Sequence, residues 1–160
     1  IQKDLFDLLG PFDPKLGMKG DAVAYGEETA FQRQLMKLMP EAKRLYDPSL
    51  TVDHLVRDCK LGTWRLLKQG IAAGRSGWRM VVSIDEAEAK EMRSSVLFRN
   101  LAIAAARLAW QLLFGLPFRK RSLYPYPQNY LREVTALSAS RLGRLLEQRR
   151  HQKQPLAVDR

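Results

Sequence analysis

The chain has 160 residues, 46% of them hydrophobic, and a formal charge of +10 with a single cysteine. That length and apolar content suit one domain with a real core. One cysteine, Cys59, excludes an internal disulfide or a cysteine metal cluster, and it reads as a small buried apolar residue that favours a reducing compartment.

The charge is lopsided. Residues 1–55 hold seven Lys/Arg against nine Asp/Glu, a net −2, whereas residues 56–160 hold twenty against eight, a net +12. A cationic second part suits anionic lipid, nucleic acid or a pyrophosphate-bearing donor, and charge alone does not choose among them. The chain starts at Ile1 without a basic leader and cleavage site, which reads as an excised piece.

Taken in order, Leu5, Leu8 and Leu9 alternate with Lys3, Asp4 and Asp7 as on a surface helix that Gly10-Pro11 ends. Residues 12–20 carry turn formers throughout and read as an ordered loop anchored by Phe12 and Leu16. Gly26 precedes Glu27-Glu28-Thr29, and Phe31, Leu35, Leu38 and Met39 follow at helical spacing up to Pro40. Carboxylates at a helix N-terminus gain about 0.3–1 kcal/mol each from the macrodipole, so spacing by itself favours capping over catalysis for this pair.

Arg44-Leu45-Tyr46 reads as a short strand, Asp47-Pro48 as a turn, and residues 50–56 as a second strand. Alternation places Leu50, Val52 and His54 on one face, where a lone histidine is more often a core or edge residue than a metal ligand. Thr63 is a suitable N-cap for a helix bearing Trp64, Leu67 and Ile71, which the glycines at 70 and 74 are expected to end. Arg75-Ser76-Gly77-Trp78-Arg79 then reads as a basic turn able to hold phosphate, although such turns are usually only solvated.

Ser83-Ile84-Asp85-Glu86 has the form of a capping box, opening a helix expected to run to Phe114, with Gly115 beyond it. Thirty residues at ~1.5 Å each span about 45 Å, longer than a small domain needs. The stretch 96–118 is strongly apolar, but Arg99, Asn100, Arg107 and Gln111 interrupt it. A surface-lying membrane helix or a helix packed on another therefore suits it better than a spanning one. Trp110, Phe114 and Phe118 followed by Arg119-Lys120-Arg121 suit an interfacial anchor on anionic lipid. Residues 123–127 are extended, a last helix covers residues 128–150, and a disordered tail is expected from His151. The aromatics fall on apolar helical faces rather than between Lys and Arg, which argues against a nucleic-acid stacking platform.

The ordered set Leu5-Phe6, Gly10-Pro11-Phe12-Asp13, Leu16-Gly17, Tyr25-Gly26-Glu27-Glu28-Thr29, Arg33, Tyr46-Asp47-Pro48, Val52, His54 and Gly74-Arg75-Ser76 resembles the acceptor-side half of family 2 inverting glycosyltransferases. The resemblance covers about residues 1–80. It implies an α/β fold: a partial GT-A domain over 1–83, then a mainly helical, basic extension over 84–150 that meets a membrane or an interface.

It further implies Glu28 as the base that deprotonates an acceptor hydroxyl, with Glu27 as its companion, where the family commonly has Asp. Arg33 and Arg75 are implied near the donor phosphates, and His54 near a divalent cation, Mn²⁺ or Mg²⁺. Ala30 stands where an acid is frequent. The chain has no Asp-x-Asp, the metal motif that in family order precedes this half. The implied partners are a nucleotide-sugar donor and a lipid-linked or saccharide acceptor at the cytoplasmic face of a membrane, with no nucleic acid. A homo-oligomeric state stays open.

Overall fold

The computed structural model describes residues 3–14, 16–17, 26–43, 45, 47–51, 53, 62–84 and 92–153. Among the described residues all regular structure is helical. Helix α1 is Lys3–Leu9, α2 Glu27–Leu38, α3 Thr63–Ile84, α4 Ser94–Trp110, α5 Pro127–Tyr130 and α6 Ala136–Lys153; π-helical turns at Gln111–Gly115 and Leu131–Thr135 continue α4 and α5.

This corrects the α/β expectation, because no strand and no sheet exists among the described residues. The turn expected at Asp47-Pro48 is present: the Asp47 carboxylate accepts the Ser49 amide at 2.9 Å and the Ser49 hydroxyl at 2.7 Å, and the Asp47 carbonyl accepts the Leu50 amide at 3.2 Å. Leu45 and Leu50 are 93% and 79% exposed, so no apolar surface rewards a strand's alternating face. The remaining residues of the two expected strands, His54 included, lie outside the described residues.

The second correction concerns glycine. Helix α3 does not stop at Gly70 or Gly74 but continues for 22 residues to Ile84. A Cβ on Gly74 would fall on the Ser140 carbonyl and the Arg144 amide, and one on Gly143 would fall on the Ile71 carbonyl. A Cβ on Gly70 would meet the Ala139 methyl at 2.9 Å. Helices α3 and α6 thus touch backbone to backbone, and this packing outweighs the ~1 kcal/mol that each helical glycine costs. The basic turn expected at 75–79 is therefore helix, and Ser83 sits in the last turn of α3 rather than capping a new helix.

Around that pair the apolar positions fall into stripes. Leu97, Leu101, Ala104 and Leu108 of α4 recur every three or four residues and are all buried. The first three pack with Leu145 of α6, while Leu108 joins Leu67, Leu131 and Ala139. Residues 85–91 lie outside the described residues, and the helix expected from Asp85 to Phe114 is observed from Ser94.

The two π turns adjoin. Gly115 admits the Tyr130 hydroxyl, which a Cβ there would displace, and the Gln111 side-chain amide donates to the Val134 carbonyl at 3.5 Å. In the second turn the Thr135 hydroxyl donates to the Leu131 carbonyl at 2.6 Å, occupying an acceptor of the widened backbone. Pro127 opens α5 at a position that needs no amide, and α6 runs on through His151 to Lys153, past the expected start of a disordered tail.

Candidate functional site

Part of the set that carries the sequence resemblance, Phe6, Phe12, Asp13, Leu16, Gly17 and Glu27, meets at one corner beside the C-terminal end of α3. Gly10, at φ 77°, closes α1 by donating its amide to the Phe6 carbonyl at 2.9 Å. The chain then returns so that Phe6, Phe12 and Phe31 form a triangle of rings with centroids 4.9 to 5.4 Å apart. Each such aromatic pair contributes about 0.5–1.5 kcal/mol beyond its buried area. Leu16, 2% exposed, packs with Ala30 of α2 and Met80 of α3. The Ser83 hydroxyl donates to the Asp13 carboxylate at 3.0 Å, tying the loop to the end of α3.

Onto this base α2 presents its N-terminus. Gly26 adopts φ 111°, a conformation that other residues rarely take, and its carbonyl accepts the Ala30 amide at 2.7 Å. No side chain caps the helix, and the positive end of its dipole lies beside the two carboxylates. The pair divides the work. Glu27 is half-buried with its carboxylate laid over Gly17, where a Cβ would collide with it, whereas Glu28 is exposed. From Thr29, the next residue, an open groove of about 360 Å³ runs between α2 and α3, lined also by Gln32, Arg33, Lys37, Val81 and Ile84. Glu28 therefore stands at the N-terminal edge of a groove that carries cations along one wall.

Arg33 belongs to this groove. Arg75 is elsewhere: it is exposed in the middle of α3, nine residues before Ile84, about 13.5 Å along the axis. Helix α3 also engages the backbone amides that the expected phosphate-holding turn at 75–79 would need. His54 lies outside the described residues. Among the described residues no three His, Cys, Asp or Glu side chains gather as a metal site would require, and His54, the residue implied near the divalent cation, is not among them.

Two participants escape a linear reading: Ser83, whose hydroxyl reaches a residue 70 positions away, and Lys37, which α2 carries into the groove. Only Lys37 had a usable signal, the four-residue step from Arg33. Comparison with known proteins adds nothing to this geometry: no family model, no curated protein and no solved structure matches the chain.

Proposed function

We propose that this chain is the acceptor-activating part of an inverting sugar transferase that uses a nucleotide-sugar donor. The observation that supports the reading is the meeting of Phe6, Phe12, Asp13, Leu16, Gly17, Glu27 and Glu28 at one corner. The resemblance had joined these residues only by their order in the sequence.

In this mechanism Glu28 accepts the proton of an acceptor hydroxyl while that oxygen attacks the anomeric carbon and the nucleoside diphosphate leaves from the opposite face. Its place at the start of α2 puts the exposed carboxylate beside the positive end of the helix dipole. Glu27 is a positioning residue: held over Gly17, it fixes the helix start against the loop and thereby sets where Glu28 points. The groove behind Glu28 receives the acceptor, with Arg33 and Lys37 orienting its polar groups.

The test is sugar transfer by a protein that carries this chain together with a donor-binding half. Glu28→Gln keeps the size of the side chain and removes the base. Turnover falls by about 10²–10⁴-fold while donor binding is retained. Wild-type turnover in that variant refutes the assignment.

A further inference from the structure

The apolar surface at the far end of the molecule is unrelated to the α2 corner and independent of the sugar-transfer reading. From Trp110 to Tyr126 the chain forms the tip of a helical hairpin between α4 and α5. The tip is held by Arg119, whose guanidinium and Nε donate to the carbonyls of Leu116, Tyr124 and Pro125 at 3.1 to 3.3 Å. Three backbone acceptors on one side chain make this an ordered tip, with its shape set before any partner arrives.

What the tip exposes is mostly large and apolar. Trp110 is 64% exposed, Leu113 67% and Phe118 83%, with Phe114 and Leu123 beside them in the chain. The Trp110 and Phe114 rings lie 4.4 Å apart, and the Phe118 amide donates to the Phe114 carbonyl at 3.1 Å, so the three aromatics follow one side of the hairpin. Lys120 and Arg121, both exposed, come directly after them. An ordered apolar ridge with a cationic pair at its end matches the layering of a bilayer surface, where acyl chains begin beneath anionic phosphates.

By length and composition Ser94–Gly115 is long and apolar enough to cross a membrane. Its packing opposes that use. Leu97, Leu101 and Ala104 are committed to Leu145 of α6, and α6 exposes Arg141, Arg144, Arg149 and Arg150 along the same length. Sinking α4 through a bilayer would draw these charges into hydrocarbon.

We infer that the hairpin tip is a membrane-docking wedge. Trp110, Leu113, Phe114 and Phe118 enter the headgroup–acyl boundary of an anionic bilayer, Lys120 and Arg121 bind its phosphates, and the rest of the molecule stays on the surface.

The test is flotation of the intact 160-residue chain with phosphatidylcholine vesicles, with and without phosphatidylglycerol, together with quenching of tryptophan emission by brominated acyl chains. The chain floats with the anionic vesicles, and the quenching disappears in Trp110→Phe. Lys120→Gln with Arg121→Gln weakens binding about 25-fold, about 5-fold for each charge, and leaves the helical circular dichroism and its melt unchanged because both residues are exposed. Any of four results overturns the inference: no flotation; equal binding to neutral vesicles; resistance to alkaline carbonate extraction, the mark of a spanning helix; or a lipid-free dimer that Phe118→Asp splits, which assigns the ridge to a second copy of the chain.

Discussion

Gly74→Ala and Gly77→Ala place the same methyl group three residues apart on the same helix and are expected to move stability in opposite directions. Each replacement removes the entropic penalty of a helical glycine, a gain of about 1 kcal/mol. At Gly77 nothing lies within 4 Å of the new Cβ, so the gain stands. At Gly74 the methyl would overlap the Ser140 carbonyl and press on the Arg144 amide, both of them backbone atoms of α6 that cannot rotate away. Overpacking costs about 1–3 kcal/mol, and a backbone obstacle puts this site at the upper end, leaving a net loss of about 2 kcal/mol. For a chain of this size each kcal/mol shifts the melting temperature by about 2–4 °C. Gly74→Ala therefore melts about 4–8 °C below the parent and Gly77→Ala about 2–4 °C above it, read by circular dichroism at 222 nm, the usual helix band. A Gly74→Ala protein as stable as the Gly77→Ala protein would refute the backbone contact between α3 and α6, and with it the account of why α3 passes through its glycines.

Two further perturbations test charge and pH. Arg79 Nε lies 2.7 Å from the Glu147 carboxylate, with the glutamate side chain 11% exposed and the arginine 36%. Arg79→Met leaves a nearly buried carboxylate unpaired and costs about 1–2 kcal/mol after allowance for the arginine's exposure, whereas Glu147→Gln costs less because Arg79 still reaches water. A double-mutant cycle in urea measures both, and equal single costs would contradict the asymmetry.

Burial first, and then the neighbouring Tyr124, push the Tyr130 hydroxyl above its usual value. A raised value means that the fold prefers the protonated phenol. Its stabilisation is complete below the ordinary tyrosine pKa of about 10 and is lost as pH rises through the raised value. Denaturant titrations across roughly pH 9 to 12 show stability falling in the parent and a flatter limb in Tyr130→Phe. Identical limbs would remove Tyr130 as the cause.

Local chemistry made several elements legible in the sequence. The acidic pair after Gly26 marks the start of α2 and Gly10 the end of α1, because each depends on the backbone or dipole at that residue alone. The loop anchors Phe12 and Leu16 were also readable as isolated apolar residues among turn formers. The aromatic and basic character of residues 110–121 is equally a property of the sequence, and the exposure of Trp110 and Phe118 only shows which way those residues face.

What failed did so where a residue answers to a distant partner. A glycine reads as a helix end unless α6 is known to lie against it, and Ser83 reads as a cap unless Asp13 is known to take its hydroxyl hydrogen bond. Leu45 and Leu50 read as strand residues until the exposure of both leaves them with no core to face.

The sequence by itself determined the chain's charge asymmetry, the start of α2 and the acidic pair at its head. Only the tertiary structure decided that this pair faces two ways, Glu27 onto Gly17 and Glu28 outward beside a groove. The physical reason is that helix periodicity separates the directions of adjacent side chains, but only packing decides which direction is buried.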